Sequence, residues 1–159
     1  KKRYLALVEG IFNTHEKNYW QTLIEKEISG NARYIGKVGQ AHFITPFVSM
    51  GLLGEIICIF PDVFSLRDFK EEHVRDLVSG LGRVFRFYEA EGIFSFNASL
   101  SFGPKGQRHF SAFFRIVPRT FLNMRDFAPD LNFFQAVLSE PICIVLPEDL
   151  CRDIRPYFA

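Results

Sequence analysis

The sequence predicts an α+β domain in which helices pack across a mostly antiparallel sheet of about five to six strands. Several short apolar runs are separated by turns that contain glycine or proline, which is typical of β-hairpins. One longer stretch has apolar residues at helical spacing and predicts a long packed helix. The 159 residues are 48% hydrophobic and include 19 Phe, so the chain can bury one core.

Residues 1–30 predict an N-terminal helix, because Leu5, Val8 and Phe12 recur at helical spacing. Asn13-Thr14 is a candidate break within it. Gly30-Asn31 follows as a typical C-terminal stop.

Three strands are predicted next. Residues 33–38 and 41–47 form a hairpin around the two-residue turn Gly39-Gln40. Residues 55–60 are apolar almost throughout, which indicates an interior strand covered on both faces.

Residues 71–91 predict the longest helix, and Gly92 ends it. We expect His73 to lie beside the buried stripe and to be partly exposed. The residues predicted to form that stripe are Val74, Leu77, Val78, Leu81, Phe85 and Tyr88.

A second hairpin is predicted from residues 94–102 and 109–119, joined by the turn 103–106. In its second strand, alternation places Phe110, Ala112, Phe114 and Ile116 on one face and His109, Ser111, Phe113, Arg115 and Val117 on the other.

The C-terminal part predicts a last strand at residues 142–145 and a helix that opens at Pro147. Before it, the segment 120–138 is rich in Phe but aperiodic, which favours core packing or a protein interface over a ligand cage.

Charge and cysteine usage exclude several classes of function. The net charge is +1, so the overall charge does not favour nucleic acid or an anionic membrane as a partner. No apolar stretch reaches the roughly 18 residues of a membrane span. Cys58, Cys143 and Cys151 are far apart and form no metal-binding pair or disulfide framework, which favours a reducing compartment. We therefore expect a cytoplasmic protein.

The run Arg115-Ile-Val-Pro-Arg119, read with the alternating positions before it, resembles the signature strand of the histidine-triad (HIT) superfamily, in which His-x-His-x-His leads into a similar segment. More narrowly, residues 19–157 resemble the C-terminal half of galactose-1-phosphate uridylyltransferases. The resemblance implies a connector helix over residues 1–30 and a HIT-like domain over residues 31–159, as part of a longer protein.

When this sequence is aligned with that motif, the three triad positions are His109, Ser111 and Phe113, so only the first histidine is present. In the family the middle histidine attacks the α-phosphorus and carries the nucleotidyl group. The resemblance thus implies a degenerate triad and a domain without its own covalent nucleophile. The family's metal-binding histidine before the signature turn is also missing from residues 99–104, so we expect neither a metal nor another cofactor.

Five residues are candidates for binding a phosphate-bearing ligand, because charged and polar side chains near the signature strand can donate hydrogen bonds to phosphate oxygens. They are Lys105, Gln107, His109, Ser111 and Arg115.

Three functional hypotheses remain open. In the first, the domain is non-catalytic and frames a nucleotide or sugar-phosphate site, with an N-terminal HIT-like half of the same protein or a second copy as partner. The parent protein would then be a nucleotidyltransferase resembling UDP-hexose-1-phosphate uridylyltransferases. In the second, it is a protein-association domain that dimerises without a ligand. In the third, it is a residual nucleotidyl transferase or hydrolase with His109 as base and Ser111 as nucleophile.

Overall fold

The computed structural model describes residues 2–119 and 142–159 of the chain. Within them lies a five-stranded antiparallel sheet of order β1-β2-β3-β5-β4, with helices packed on both faces, so the predicted α+β class is confirmed. The elements are α1 (Lys2–His15), α2 (Tyr19–Gly30), β1 (Tyr34–Val38), β2 (Ala41–Ile44), β3 (Ile56–Phe60), α3 (Glu71–Ala90), β4 (Phe96–Ser101), β5 (Ala112–Pro118), α4 (Pro147–Ile154) and a closing 3₁₀ turn (Arg155–Phe158).

The centre of the sheet is β3, between β2 and β5, and all five of its residues are buried. Ile56, Cys58 and Phe60 face the core under α3, whereas Ile57 and Ile59 face a second core under α2. Burial on both faces explains why this strand has a continuous apolar run instead of alternation.

The first hairpin turns at Gly39-Gln40 as predicted. Gly39 has a φ of 55°, and a Cβ there would lie 2.1 Å from the carboxylate of Asp76 on α3. The backbone N–H of Gln40 donates to the same carboxylate at 2.8 Å. The turn is thereby fixed against the first half of α3.

The buried stripe predicted for α3 is correct only in part. Leu77 and Tyr88 are buried, but Val74, Val78 and Phe85 are exposed, so their predicted burial was wrong. A Cβ at Gly80 would lie 2.1 Å from the Phe43 ring, so α3 approaches β2 closely at this glycine. A different face of α3 therefore lies against the sheet. That face consists of His73, Leu77, Gly80, Val84, Phe87 and Tyr88.

Three further expectations about elements need correction. The N-terminal helix is two helices, separated at residues 16–18. Residues 142–145 form no strand; a backbone hydrogen bond joins Ile144 N–H to Leu52 O. β5 begins at Ala112 and not at His109, and Phe110 packs with Phe113 although the alternation placed them on opposite faces. The strand pairing with β3 stops at Ala112, opposite Phe60, and the Ala112 N–H bonds to Val63 O in the loop that follows β3.

The Phe-rich segment 120–138 lies outside the described residues, so its predicted interface role stays a prediction. None of the helices in the described ranges is long and apolar enough to cross a membrane.

Candidate functional site

The three triad positions lie at the start of β5 and are all buried beneath α1 and α2. His109 is 7% exposed, Ser111 0% and Phe113 7%. Each contacts the N-terminal helices or the turn between them: the ring centroids of Phe12 and His109 are 6.1 Å apart, and those of Trp20 and Phe113 are 4.5 Å apart. Ser111 Oγ lies 3.3 Å from Asn18 Oδ1. The chain itself therefore covers the face on which triad residues would act.

The hydroxyl of Ser111 donates its hydrogen bond to the backbone oxygen of Pro61 at 2.7 Å. A serine nucleophile instead needs its proton directed at an adjacent base. The second partner of Ser111 Oγ is the amide oxygen of Asn18, which is no base. The geometry of Ser111 is thus that of a structural residue.

Phe113 belongs to an aromatic cluster with Trp20 and Phe110, and its ring centroid is 5.7 Å from that of Phe110. Its side chain offers no metal ligand and no hydrogen bond. At this position the side chain packs against Trp20 of α2.

Arg115, a predicted ligand-binding residue, forms an ion pair with Glu55, whose side chain is completely buried. Glu55 also accepts the Met50 N–H at 2.9 Å. Burial raises the pKa of Glu55, while Arg115 and the Met50 N–H oppose that rise. The guanidinium of Arg115 is therefore committed to holding a buried carboxylate.

Lys105 and Gln107 line an open cleft of about 600 Å³ at the end of the sheet. Its walls come from the loop after β3, the first turn of α3 and the segment between β4 and β5. Lys105 is joined there by Arg67, Lys70 and Arg108. His109, Ser111 and Arg115 are not among the residues that line it, so the structure divides the five predicted ligand residues between two places.

The acidic residues of the cleft are Asp62, Asp68 and Glu72. Asp68 accepts hydrogen bonds from the hydroxyl and the N–H of Ser65, at 2.7 and 2.9 Å, and these bonds lower its pKa. The four basic side chains outnumber the three carboxylates by one (4 − 3 = 1). Two of those carboxylates already accept hydrogen bonds, because Asp62 Oδ1 also accepts one from Gln21 Nε2 at 3.2 Å.

His73 forms part of the cleft wall and was wrongly expected to be partly exposed; it is buried. Its Nδ1 accepts the Lys70 N–H at 2.9 Å. The ring proton is therefore assigned to Nε2, which lies 3.2 Å from Gln40 Oε1. His73 thus caps α3 and ties it to the first hairpin, which fixes two walls of the cleft relative to each other.

Comparison with solved structures identifies the fold. A uridylyltransferase mutant superposes with a TM-score of 0.81 over 99% of this chain and 52% of that chain, at 16% identity. A zinc-bound histidine triad family protein from Mycobacterium smegmatis superposes with a TM-score of 0.50 over 82% of this chain and 88% of that one, at 18% identity. The chain has the HIT-like fold.

A GalT-like protein from Arabidopsis thaliana has the same fold, with a TM-score of 0.71 over 95% of this chain and 48% of that chain, at 19% identity. By sequence, an uncharacterized protein from Archaeoglobus fulgidus is 23% identical over 138 residues, which are 87% of this chain and 41% of that protein. No protein-family model matches the chain. The chain thus spans about half the length of the uridylyltransferase and GalT-like chains, and less of the archaeal protein.

This HIT-like domain has a second cleft, of about 560 Å³, at the corner between α1 and α2. It shares Asp62, Phe64 and Arg108 with the first cleft, so the two are adjacent.

Throughout residues 2–119 and 142–159, no three His, Cys, Asp or Glu side chains are grouped so that they could hold a metal ion.

Sequence reasoning missed Asn18, which links the triad positions to the clefts. Its Oδ1 accepts the Trp20 N–H at 2.9 Å and caps α2, while its Nδ2 donates to Arg108 O at 2.8 Å. An asparagine directly before a helical apolar pattern is a typical N-cap signal. That signal would have located the helix start, but the bond to Arg108 joins residues 90 positions apart and leaves no local pattern.

Proposed function

We propose that this HIT-like domain is itself non-catalytic and binds the phosphate part of a nucleotide or sugar phosphate in the cleft beside Lys105. The observation that carries the proposal is the cover over the triad positions: Phe12, Asn18 and Trp20 each contact one of them. A substrate phosphorus cannot approach Ser111 in line while α1 and α2 occupy that face.

The positive charges on the walls of the cleft support the proposed binding of a phosphate group. Lys105 and Arg108 come from the segment between β4 and β5, and Arg67 and Lys70 come from the loop before α3. Their side chains are exposed and can turn toward an anion. Ammonium and guanidinium groups form charge-assisted hydrogen bonds to phosphate oxygens, about twice as strong as neutral ones.

Isothermal titration with UDP-glucose, UDP and pyrophosphate tests this site. We expect micromolar binding of at least one probe, without turnover, and a loss of about tenfold in affinity in Lys105→Ala or Arg108→Ala, equivalent to about 1.4 kcal/mol. Arg75→Ala is the matched control, because Arg75 is an exposed cation on α3 that does not line the cleft. Equal affinity in Lys105→Ala, Arg108→Ala and Arg75→Ala would reject the cleft as the site.

A second candidate function is association with another unit of this fold, and one surface favours it. The exposed apolar residue Phe85 of α3 lies beside the edge strand β4, where the Phe85 and Phe96 rings stack with centroids 5.2 Å apart. Phe94 and Leu100 extend the surface. Edge strands with exposed apolar side chains are typical sites of strand addition.

Sedimentation velocity of wild type, Phe96→Asp and Leu100→Asp over a range of concentrations tests this candidate. A second copy as partner predicts a dimer in wild type that both substitutions dissociate. A wild-type protein that stays monomeric at every concentration would reject self-association.

A further inference from the structure

The segment between β4 and β5, which carries Lys105, Gln107 and Arg108 into the cleft, is held at both ends. At its start, Gly103 N–H donates to Phe64 O at 2.9 Å. At its end, Asn18 Nδ2 donates to Arg108 O at 2.8 Å. Between these anchors, a hydrogen bond from Gln107 N–H to Pro104 O, at 3.3 Å, closes a turn.

The two anchors differ in kind. The one at Gly103 is a backbone bond, and a Cβ at Gly103 would lie 2.9 Å from Phe64 O, so the two chain segments are in close contact there. The one at Arg108 depends on a single side chain that belongs to a different element. Asn18 is 5% exposed, so its amide is shielded from solvent.

The orientation of the Asn18 amide is set by its other partners. Its oxygen accepts the N–H of Trp20 at 2.9 Å and the N–H of Gln21 at 3.4 Å. Both partners are donors, so the NH₂ group is left to face Arg108 O.

We propose that Asn18 is a positioning residue for the cleft, which fixes the segment 104–108 and with it the cations that contact the ligand. This inference rests on the proposed function of the cleft as a phosphate site. A pre-ordered loop loses less conformational entropy when it binds, so its donors give more affinity than the same donors on a loose loop. Arg108 lines both clefts, and its placement affects each of them.

Asn18→Asp and Asn18→Ser test the inference. Both residues are favoured N-caps and keep an oxygen for the Trp20 N–H. Aspartate lacks the N–H donor for Arg108 O, and serine is too short to reach it. Serine is uncharged, so it separates the lost hydrogen bond from any repulsion between a new carboxylate and the ligand. Gln21→Ala is the matched control, because Gln21 bonds to Asp62 and Pro61 but not to the cleft segment.

Two readouts are measured. Peptide-resolved hydrogen exchange of the unliganded protein should show faster exchange over residues 103–110 in both Asn18 variants. Exchange over α2 should be unchanged in these variants, and Gln21→Ala should exchange like wild type over residues 103–110. Titration with UDP should show about a tenfold loss of affinity in both variants, the equivalent of about one hydrogen bond.

Unchanged exchange over residues 103–110 in both variants would overturn the inference. So would faster exchange with wild-type affinity for UDP, because the order of the segment would then not matter for binding. If wild type binds neither UDP nor pyrophosphate, the phosphate site itself fails, whereas the exchange result still decides whether Asn18 anchors the segment.

Discussion

At the scale of single residues, Arg115 illustrates how burial determines the role of a charge. Its guanidinium pairs with Glu55, a carboxylate without solvent exposure. Removing one partner leaves the other buried and uncompensated. The pair therefore gives Arg115 a structural partner, while its ligand-binding role stays a prediction.

Arg115→Ala is expected to lower the free energy of unfolding by about 1–3 kcal/mol, because Glu55 loses its counter-ion and part of its hydrogen bonding. Urea denaturation measures the change. Arg152→Ala is the control: Arg152 is an exposed residue whose ion pairs with Asp149 and Asp153 are also exposed, so its removal should cost less than about 1 kcal/mol. Equal stability of Arg115→Ala and wild type would show that the pair contributes nothing.

His42 predicts a pH dependence of stability. Burial lowers its pKa, Lys37 lowers it further, and Asp62 opposes them. The unfolded chain therefore binds the proton more tightly than the folded one, so the stabilisation is present above about pH 6.5 and is lost as the pH falls through the lowered pKa. Its Nδ1 lies 2.9 Å from the hydroxyl of Tyr34, within hydrogen-bond distance.

His42→Gln should therefore reduce the loss of stability between about pH 7 and pH 5, the range in which histidine titrates. Urea denaturation at intervals across that range measures the slope. His15→Gln, at an exposed histidine, is the control and should keep the wild-type slope. An identical slope in His42→Gln and wild type would contradict the argument.

At the scale of elements, the orientation of α3 depends on Gly80. Its missing Cβ admits the Phe43 ring, and a methyl group there would lie 2.1 Å from Phe43 Cζ. Gly80→Ala is expected to destabilise the protein by about 1–3 kcal/mol through overpacking. Gly82, two residues further on, has open space where its Cβ would lie, with nothing within 4 Å.

Gly82→Ala is therefore the matched substitution, and it should stabilise the protein by about 0.5–1 kcal/mol through helix propensity. Thermal and urea denaturation of the two variants give the sign of each change in stability. A Gly80→Ala variant as stable as Gly82→Ala would contradict the close approach of α3 to β2.

The contrast between these two glycines also explains what could be predicted from the sequence. The two hairpins, the interior strand β3 and the α+β class follow from local apolar patterns, and the structure confirms them. The rotation of α3 does not, because it depends on Gly80 meeting Phe43, a contact between residues 37 positions apart (80 − 43 = 37). For the same reason the apolar pattern of Val74, Val78 and Phe85 was assigned to the core although these residues are exposed.

The candidate site shows the same limit. The signature strand located His109, Ser111 and Phe113, but their cover by Phe12, Asn18 and Trp20 joins residues more than 90 positions apart in sequence. Of the predicted ligand residues, Lys105 and Gln107 share a cleft with Arg67 and Lys70, which belong to another loop and were not predicted. Contacts between residues so far apart in sequence produce no local periodicity from which they could be predicted.

At the scale of the whole molecule, α1 and α2 close one face of the sheet and α3 closes the other. The chain spans about half the length of the uridylyltransferase chains with which it superposes. In our proposal, its contribution is a binding cleft at the end of the sheet together with an exposed apolar surface at α3 and β4. We assign covalent chemistry to neither the cleft nor the apolar surface.

The most direct test of this account is intact-mass spectrometry of the protein after incubation with UDP-glucose, followed by peptide mapping. The account predicts an unchanged mass, because Ser111 is buried and its hydroxyl is bonded to Pro61 O. A uridylyl adduct mapped to Ser111 or His109 in wild type, and lost when the labelled residue is replaced by alanine, would contradict it.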